Sequence, residues 1–128
     1  LQAISSTYMD SHVSVNIKTE LEDIILNINQ AIPCSLLLNE LIVNAYKHAF
    51  DTETGGNIYV RTHKKDDTIY LYVKDDGMGL PPDFDLDDSS SLGMTLINTL
   101  TQQLNGEILM KNEDGALFEV NFEAEEVV

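Results

Sequence analysis

The chain has 128 residues, 43% of them hydrophobic and 23% charged, which suits one globular domain with a single sizeable core. Its 22 Asp and Glu against 7 Lys and Arg give a formal net charge of -15; phosphate backbones demand clustered cations, so the balance argues against nucleic acid as the main partner. The single cysteine, Cys34, excludes an internal disulfide, and no apolar run approaches the roughly 20 residues of a bilayer span.

In chain order, residues 1–9 (LQAISSTYM) space Leu1, Ile4 and Tyr8 as a helix does, so 1–12 reads as the end of a preceding helix. The chain opens on Leu1 without an initiator methionine, which points to a piece of a longer protein. From residue 13 the period changes: VSVNI (13–17) and IILNIN (24–29), with KTELED between them, predict a hairpin. Pro33 suits the first turn of a helix running from about 33 to 50. Leu38, Leu41, Ile42, Ala45 and Ala49 line its apolar face, and Glu40, Asn44, Lys47 and His48 form a stripe turned away from it. Cys34, near the helix start, reads as core filler. NIYVRTH (57–63) and TIYLYV (68–73), joined by KKDD, predict a second hairpin. After the loop DDGMGLPPDFDLDDSSS comes a helix from Leu92 to about Leu104, with Leu92, Leu96, Ile97, Leu100 and Leu104 in one stripe. EILMKN (107–112) and ALFEVNF (116–122) form a last hairpin, and the acidic tail 124–128 is expected to fray.

Two helices, each able to bury one face, and three hairpins predict a two-layer α/β (α+β) sandwich. It has one mixed, mostly antiparallel sheet of about five to six strands with the helices on one side.

Three stretches can carry chemistry. In TIYLYVKDDGMGL the strand parity that buries Ile69, Leu71 and Val73 also turns Asp75 inward, and a buried carboxylate needs a hydrogen-bond donor, such as the amino group of a bound heterocycle. Asp76 has the opposite parity and shapes the turn, while Gly77 and Gly79 flank Met78 and leave room for close approach. In SSSLGMTL the serines cap a helix, and Gly93 bares amides that favour an anion. The stripe of Glu40, Asn44, Lys47 and His48 suits a metal ion and phosphate oxygens; magnesium prefers few protein ligands plus phosphate, which Asn44 and Glu40 fit.

Glu40-x-x-x-Asn44-Ala45-x-Lys47-His48, Asp75-x-Gly77-x-Gly79 and Ser91-Leu92-Gly93-Met94 resemble, in order and spacing, the N, G1 and G2 boxes of the GHKL (Bergerat-fold) ATP-binding superfamily across residues 13–123. AIPCSLLLNELIVNAYKHAF is similar to the catalytic domains of sensor histidine kinases. The resemblance implies that Asp75 accepts from the adenine amino group beside Gly77, Met78 and Gly79. It also implies that Asn44, with Glu40, ligates Mg2+ and that Lys47 and His48 face the phosphates. Leu92, Gly93 and Met94 border the anion site beneath a lid of residues 81–92, and Glu40 and Lys47 are the catalytic candidates.

The function so implied is the ATP-binding catalytic domain of a two-component sensor histidine kinase. It would pass the γ-phosphoryl group of ATP to a histidine on an upstream dimerisation domain, with a response regulator downstream, in the cytoplasmic part of a sensor that need not itself touch a membrane. The alternatives are a stand-alone serine kinase of the anti-sigma-factor type and a GHKL ATPase. This sequence departs from the family at Ser91 (often Gly), at Ala116 (often Thr) and in its short lid without a separate aromatic box other than Phe84, so ATP affinity weaker than nanomolar is expected.

Overall fold

A computed structural model of the chain describes residues 15–49, 56–77, 92–112 and 114–126. The expected helix tail at 1–12, and Met78, Gly79, the lid residues 81–91 and Phe84 within them, lie outside the described residues, as does the side chain of His48.

Five strands, β1 (Val15–Leu21), β2 (Gly56–Lys65), β3 (Thr68–Asp75), β4 (Glu107–Asn112) and β5 (Ala116–Glu123), form one sheet in the order β1-β2-β3-β5-β4. Helices α1 (Ile28–Ala49) and α2 (Leu92–Gln103) pack together, α1 against β2, β3 and β5, and α2 against β4. The β1–β2 pair is parallel and the other three are antiparallel, giving the mixed two-layer sandwich expected from the sequence.

The first predicted hairpin is not there. Residues 18–21, read as turn, continue β1, and residues 22–27 cross over into α1. The reason is tertiary: a parallel neighbour requires a long crossover, and α1 supplies it, so β1 has no hairpin partner. IILNIN is a short apolar run whose Ile24 and Leu26 pack on the core while Ile25 and Ile28 are exposed, and such a run does not distinguish strand from connection.

The helix begins at Ile28, five residues before Pro33, because Asn27 caps it. Its Oδ1 accepts the Asn29 N–H at 2.9 Å, and its carbonyl accepts the N–H groups of Gln30 and Ala31. Pro33 is therefore inside the helix, buried, and withholds one N–H from the carbonyl of Asn29 at an exposed position. The second and third hairpins form where predicted, each strand extended by a residue or more at its ends or kept as read.

The core lies between the helices and one sheet face: Leu37, Leu41, Ile42 and Ala45 from α1 meet Ile58, Val60, Ile69, Leu71, Val73, Phe118, Val120 and Phe122. In α2 the buried stripe is Met94, Ile97, Leu100 and Thr101, with Leu104 just beyond. Leu92 (76% exposed) and Leu96 (37%) fall outside it, correcting the expected stripe. Thr101 fits because its hydroxyl donates back to the Ile97 carbonyl at 2.7 Å, which satisfies a polar group that leucine periodicity alone overlooks.

The tail is tied rather than frayed over 124–126. Buried Gln30 donates from Nε2 to the Glu123 carbonyl (2.8 Å) and accepts the Glu125 N–H (2.8 Å), while Ala124 N–H donates to the Asp67 carbonyl. Gln30→Ala should lower the free energy of unfolding by about 2 kcal/mol, since it leaves two backbone groups without partners. Urea denaturation checks this; an unchanged midpoint would show that water replaces the amide freely.

Candidate functional site

Asp75 ends β3 on its inward face, as the parity of Ile69, Leu71 and Val73 requires, and is 2% exposed. Two backbone donors hold one oxygen: Oδ1 accepts the Gly77 N–H at 3.0 Å and the Ala116 N–H at 3.2 Å. Among the described residues none donates to Oδ2. Burial pushes the carboxyl above its ordinary range, and the Ala116 and Gly77 amides and the Lys74 ammonium pull it back. The site therefore holds a fixed acceptor whose second oxygen is left for another donor.

Its neighbour Asp76 has the structural role that parity assigned. Its two oxygens accept the Asn57 N–H (2.7 Å) and the Asn57 Nδ2 (2.8 Å), bonds that hold its carboxyl below the usual range. Asp76 N–H donates back to the Asn57 carbonyl, clamping the ends of β2 and β3 beside Asp75.

Gly115 is the residue that sequence reading passed over. Its φ is +130°, and a Cβ on it would stand 1.9 Å from the Asp75 carbonyl oxygen and 2.9 Å from Oδ1. Only glycine lets the β4–β5 turn come close enough for the next residue, Ala116, to donate to Asp75. The sequence signal was the Asp-Gly pair of that turn, which marks a hairpin but not what the hairpin touches.

The second cluster lies between the helices. Glu40 and Asn44, one turn apart on α1, are both half-buried, so this stripe is not simply a solvated face; Lys47 is exposed. The Glu40 carboxylate reaches the first turn of α2, where its Oε2 would lie 3.8 Å from a Cβ placed on Gly93. Met94 is buried in the core, whereas Leu92 points outward. The structure thus brings Glu40 to Gly93 and Asp75 to Gly77, and α1 links the two clusters by packing on both β3 and α2.

Among the described residues no group of three or more His, Cys, Asp and Glu stands ready to hold a metal. One carboxylate and one carboxamide oxygen on Glu40 and Asn44 do fit Mg2+, which keeps waters and phosphate oxygens as its other ligands. Cys34 packs against the core, and burial pushes its thiol up to about 11, so it has no nucleophilic character near neutral pH. Among the described residues no helix is long and apolar enough to cross a membrane.

A family model described as "Histidine kinase-, DNA gyrase B-, and HSP90-like ATPase" matches residues 29–126. The chain belongs to this family. Within it the chain is a histidine-kinase-type ATPase domain, homologous to sensor histidine kinases. It is 33% identical over 90 residues to the sensor histidine kinase PdtaS of Mycobacterium tuberculosis, a match covering 69% of this chain and 18% of that protein. A weaker relative is the anti-sigma F factor of Bacillus licheniformis, 28% identical over 76 residues, covering 59% of this chain and 50% of that one. Among solved structures, the blue-light-activated histidine kinase of Erythrobacter litoralis superposes with a TM-score of 0.85 at 23% identity, covering 96% of this chain and 40% of the other. The ATPase domain described here thus spans less than a fifth of the mycobacterial kinase. Of the three sequence boxes, the family match includes every residue of the N, G1 and G2 stretches, and Gly115 and Ala116 lie within the same span.

Proposed function

We propose that this domain binds ATP with Mg2+ and delivers its γ-phosphoryl group to a histidine on a dimerisation domain upstream in the same polypeptide, as the catalytic part of a cytoplasmic two-component sensor kinase. A response regulator is the onward acceptor. The observation that carries this reading is Asp75: a buried carboxylate at a strand end, gripped through Oδ1, with Oδ2 available to accept from the exocyclic amino group of adenine.

The other roles follow the resemblance of the three sequence boxes to the family. By that resemblance Gly77, Met78 and Gly79 would border the base, and Leu92, Gly93 and Met94 the phosphates. Of these last three, Gly93 offers backbone at the start of α2, Met94 supports it from the core, and Leu92 stands outside. By the same resemblance Lys47 and His48 would face the phosphate tail. Asn44 and Glu40 would hold Mg2+, which when bound offsets the phosphate charge that a chain of net charge -15 otherwise repels. Glu40 can also accept the proton of the attacking nucleophile, since its carboxylate stands where α2 begins and the γ-phosphate would lie.

Calorimetric titration with ATP and GTP, with and without Mg2+, tests the site: the expected result is selective ATP binding, weaker than nanomolar. Equal affinity for guanine nucleotides would remove adenine as the ligand. The isolated chain should bind ATP yet label itself only marginally with γ-labelled ATP; efficient autophosphorylation on histidine would place the acceptor inside this domain instead. The anti-sigma F factor relative supports a second reading, a serine kinase that is also a binding module. Acid-stable phosphate on a partner protein, in place of the acid-labile phosphohistidine, would favour it.

A further inference from the structure

The sheet face turned away from α1 and α2 collects cations in a strongly acidic chain. By strand parity it carries Lys18, Arg61, Lys65, Lys74 and Lys111, five of the 7 Lys and Arg, against Glu20, Glu107, Glu119 and Glu123 among the described residues. Their placement is not even. The strand register puts Lys18, Tyr59, Lys74, Leu117 and Lys111 in one row across all five strands, alternating cation and apolar side chain, with no acid between them. In the next row Arg61 stands between Glu20 and Tyr72, its guanidinium carbon 5.6 Å from the Tyr72 ring centroid, and Glu119 lies one strand further.

In the first row Lys18, Tyr59 and Lys111 are exposed, Lys74 and Leu117 half-buried, and two of the three lysines are held by neighbours. Tyr59 is 39% exposed, and the Lys18 ammonium lies 5.7 Å from its ring centroid. Lys74 Nζ donates to the Asp75 carbonyl at 3.4 Å. Ammonium groups tethered in this way lose little freedom when a ligand arrives.

Strands lie about 4.8 Å apart, so successive lysines of the row, two strands apart, are separated by about 9.6 Å. Seven residues of α-helix rise about 10.5 Å. An acidic helix laid along the row therefore offers one carboxylate per heptad to Lys18, Lys74 and Lys111 in turn, and its apolar residues in between meet Tyr59 and Leu117. A wide anionic surface, such as a lipid bilayer or a nucleic acid, is a poorer match, because it would also meet the surrounding acids of a chain of net charge -15. A single helix, about 10–12 Å across with its side chains, is centred on the row and meets the flanking Glu20 and Glu119 only at its edge, about 6.6 Å away along the strands.

We infer that the open sheet face is a docking surface for an acidic amphipathic helix of a protein partner, read by the row Lys18, Tyr59, Lys74, Leu117 and Lys111. This surface lies on the sheet face opposite the nucleotide site and touches it only through Lys74, whose Nζ donates to the Asp75 carbonyl; its occupancy does not require ATP.

The test uses the 128-residue chain and a fluorescent synthetic helix of about 21 residues with Glu at one heptad position and Leu at the positions between. Fluorescence anisotropy should show saturable binding, with or without ATP, that weakens as salt rises. Combining Lys18→Glu, Lys74→Glu and Lys111→Glu should raise Kd by about tenfold or more, and the matching Lys→Gln triple variant by a smaller factor. Lys65→Glu, on the same face but outside the row, should change Kd by less than about twofold. Thermal midpoints close to that of the parent chain show that the variants fold. The inference is overturned by lack of saturation, by equal binding to the Lys→Gln variant, or by equal binding of a scrambled peptide of the same charge. It is also overturned if vesicles containing phosphatidylserine, or a second copy of the chain in sedimentation, occupy the row in preference to the helix.

Discussion

Replacing Gly115 by alanine is expected to abolish selective adenine binding and to lower stability by about 3 kcal/mol. The added Cβ would stand 1.9 Å from the Asp75 carbonyl oxygen, a backbone atom with no room to retreat, and φ of +130° is closed to alanine. The β4–β5 turn must therefore move outward, which draws the Ala116 N–H away from Oδ1 and frees the carboxyl to rotate. Gly106→Ala provides the comparison. Its Cβ would meet the Asn121 carbonyl at 2.6 Å, far from Asp75, so that variant should lose stability and keep its ATP affinity once measured well below its melting point. If Gly115→Ala binds ATP as the parent chain does, the grip of Ala116 on Asp75 has no part in recognition.

Asp75→Asn should weaken ATP binding by about a hundredfold or more while making the domain more stable at neutral pH. Asparagine can keep Oδ1 against the Gly77 and Ala116 amides, which places Nδ2, a donor, where the free carboxylate oxygen was. The adenine amino group then faces a donor, and the carbonyl of guanine becomes the better match. The stability effect follows from the raised pKa. A carboxyl that holds its proton more tightly when folded contributes stability that is fully present below its ordinary value of 3.8 and is lost as pH rises through the higher folded value. At pH 7 the ionised form is thus a burden, and its removal should raise stability, a gain that disappears as pH falls toward the ordinary carboxylate range. Urea denaturation at the two pH values and titration with both nucleotides measure the pair of effects. A variant that is less stable at pH 7 yet binds ATP normally would contradict both halves of the account.

The carboxylate at the centre of this site was legible in the sequence because strand parity is a local rule: three alternating apolar residues determine where the fourth position points, whatever lies across from it. The amphipathic stripe of Glu40 and Asn44 was legible for the same reason, through the period of the helix. Gly115 was not, since its necessity comes from a residue forty positions earlier that reaches it only after β3 and β5 pair. Gln30 likewise looks like an ordinary helix residue until residues 123–126 return to it.

The amino-acid sequence by itself determined the element types after residue 29, the inward acid and the polar ridge, since each follows from steric repeats within a few neighbouring residues. Tertiary structure alone decided that β1 runs parallel to β2 instead of folding into a hairpin, and that α2 buries Met94 and Thr101 rather than Leu92. It also decided that a turn glycine closes on Asp75. Each of those outcomes compares contacts between segments distant in the chain, and their energies do not exist until the segments meet.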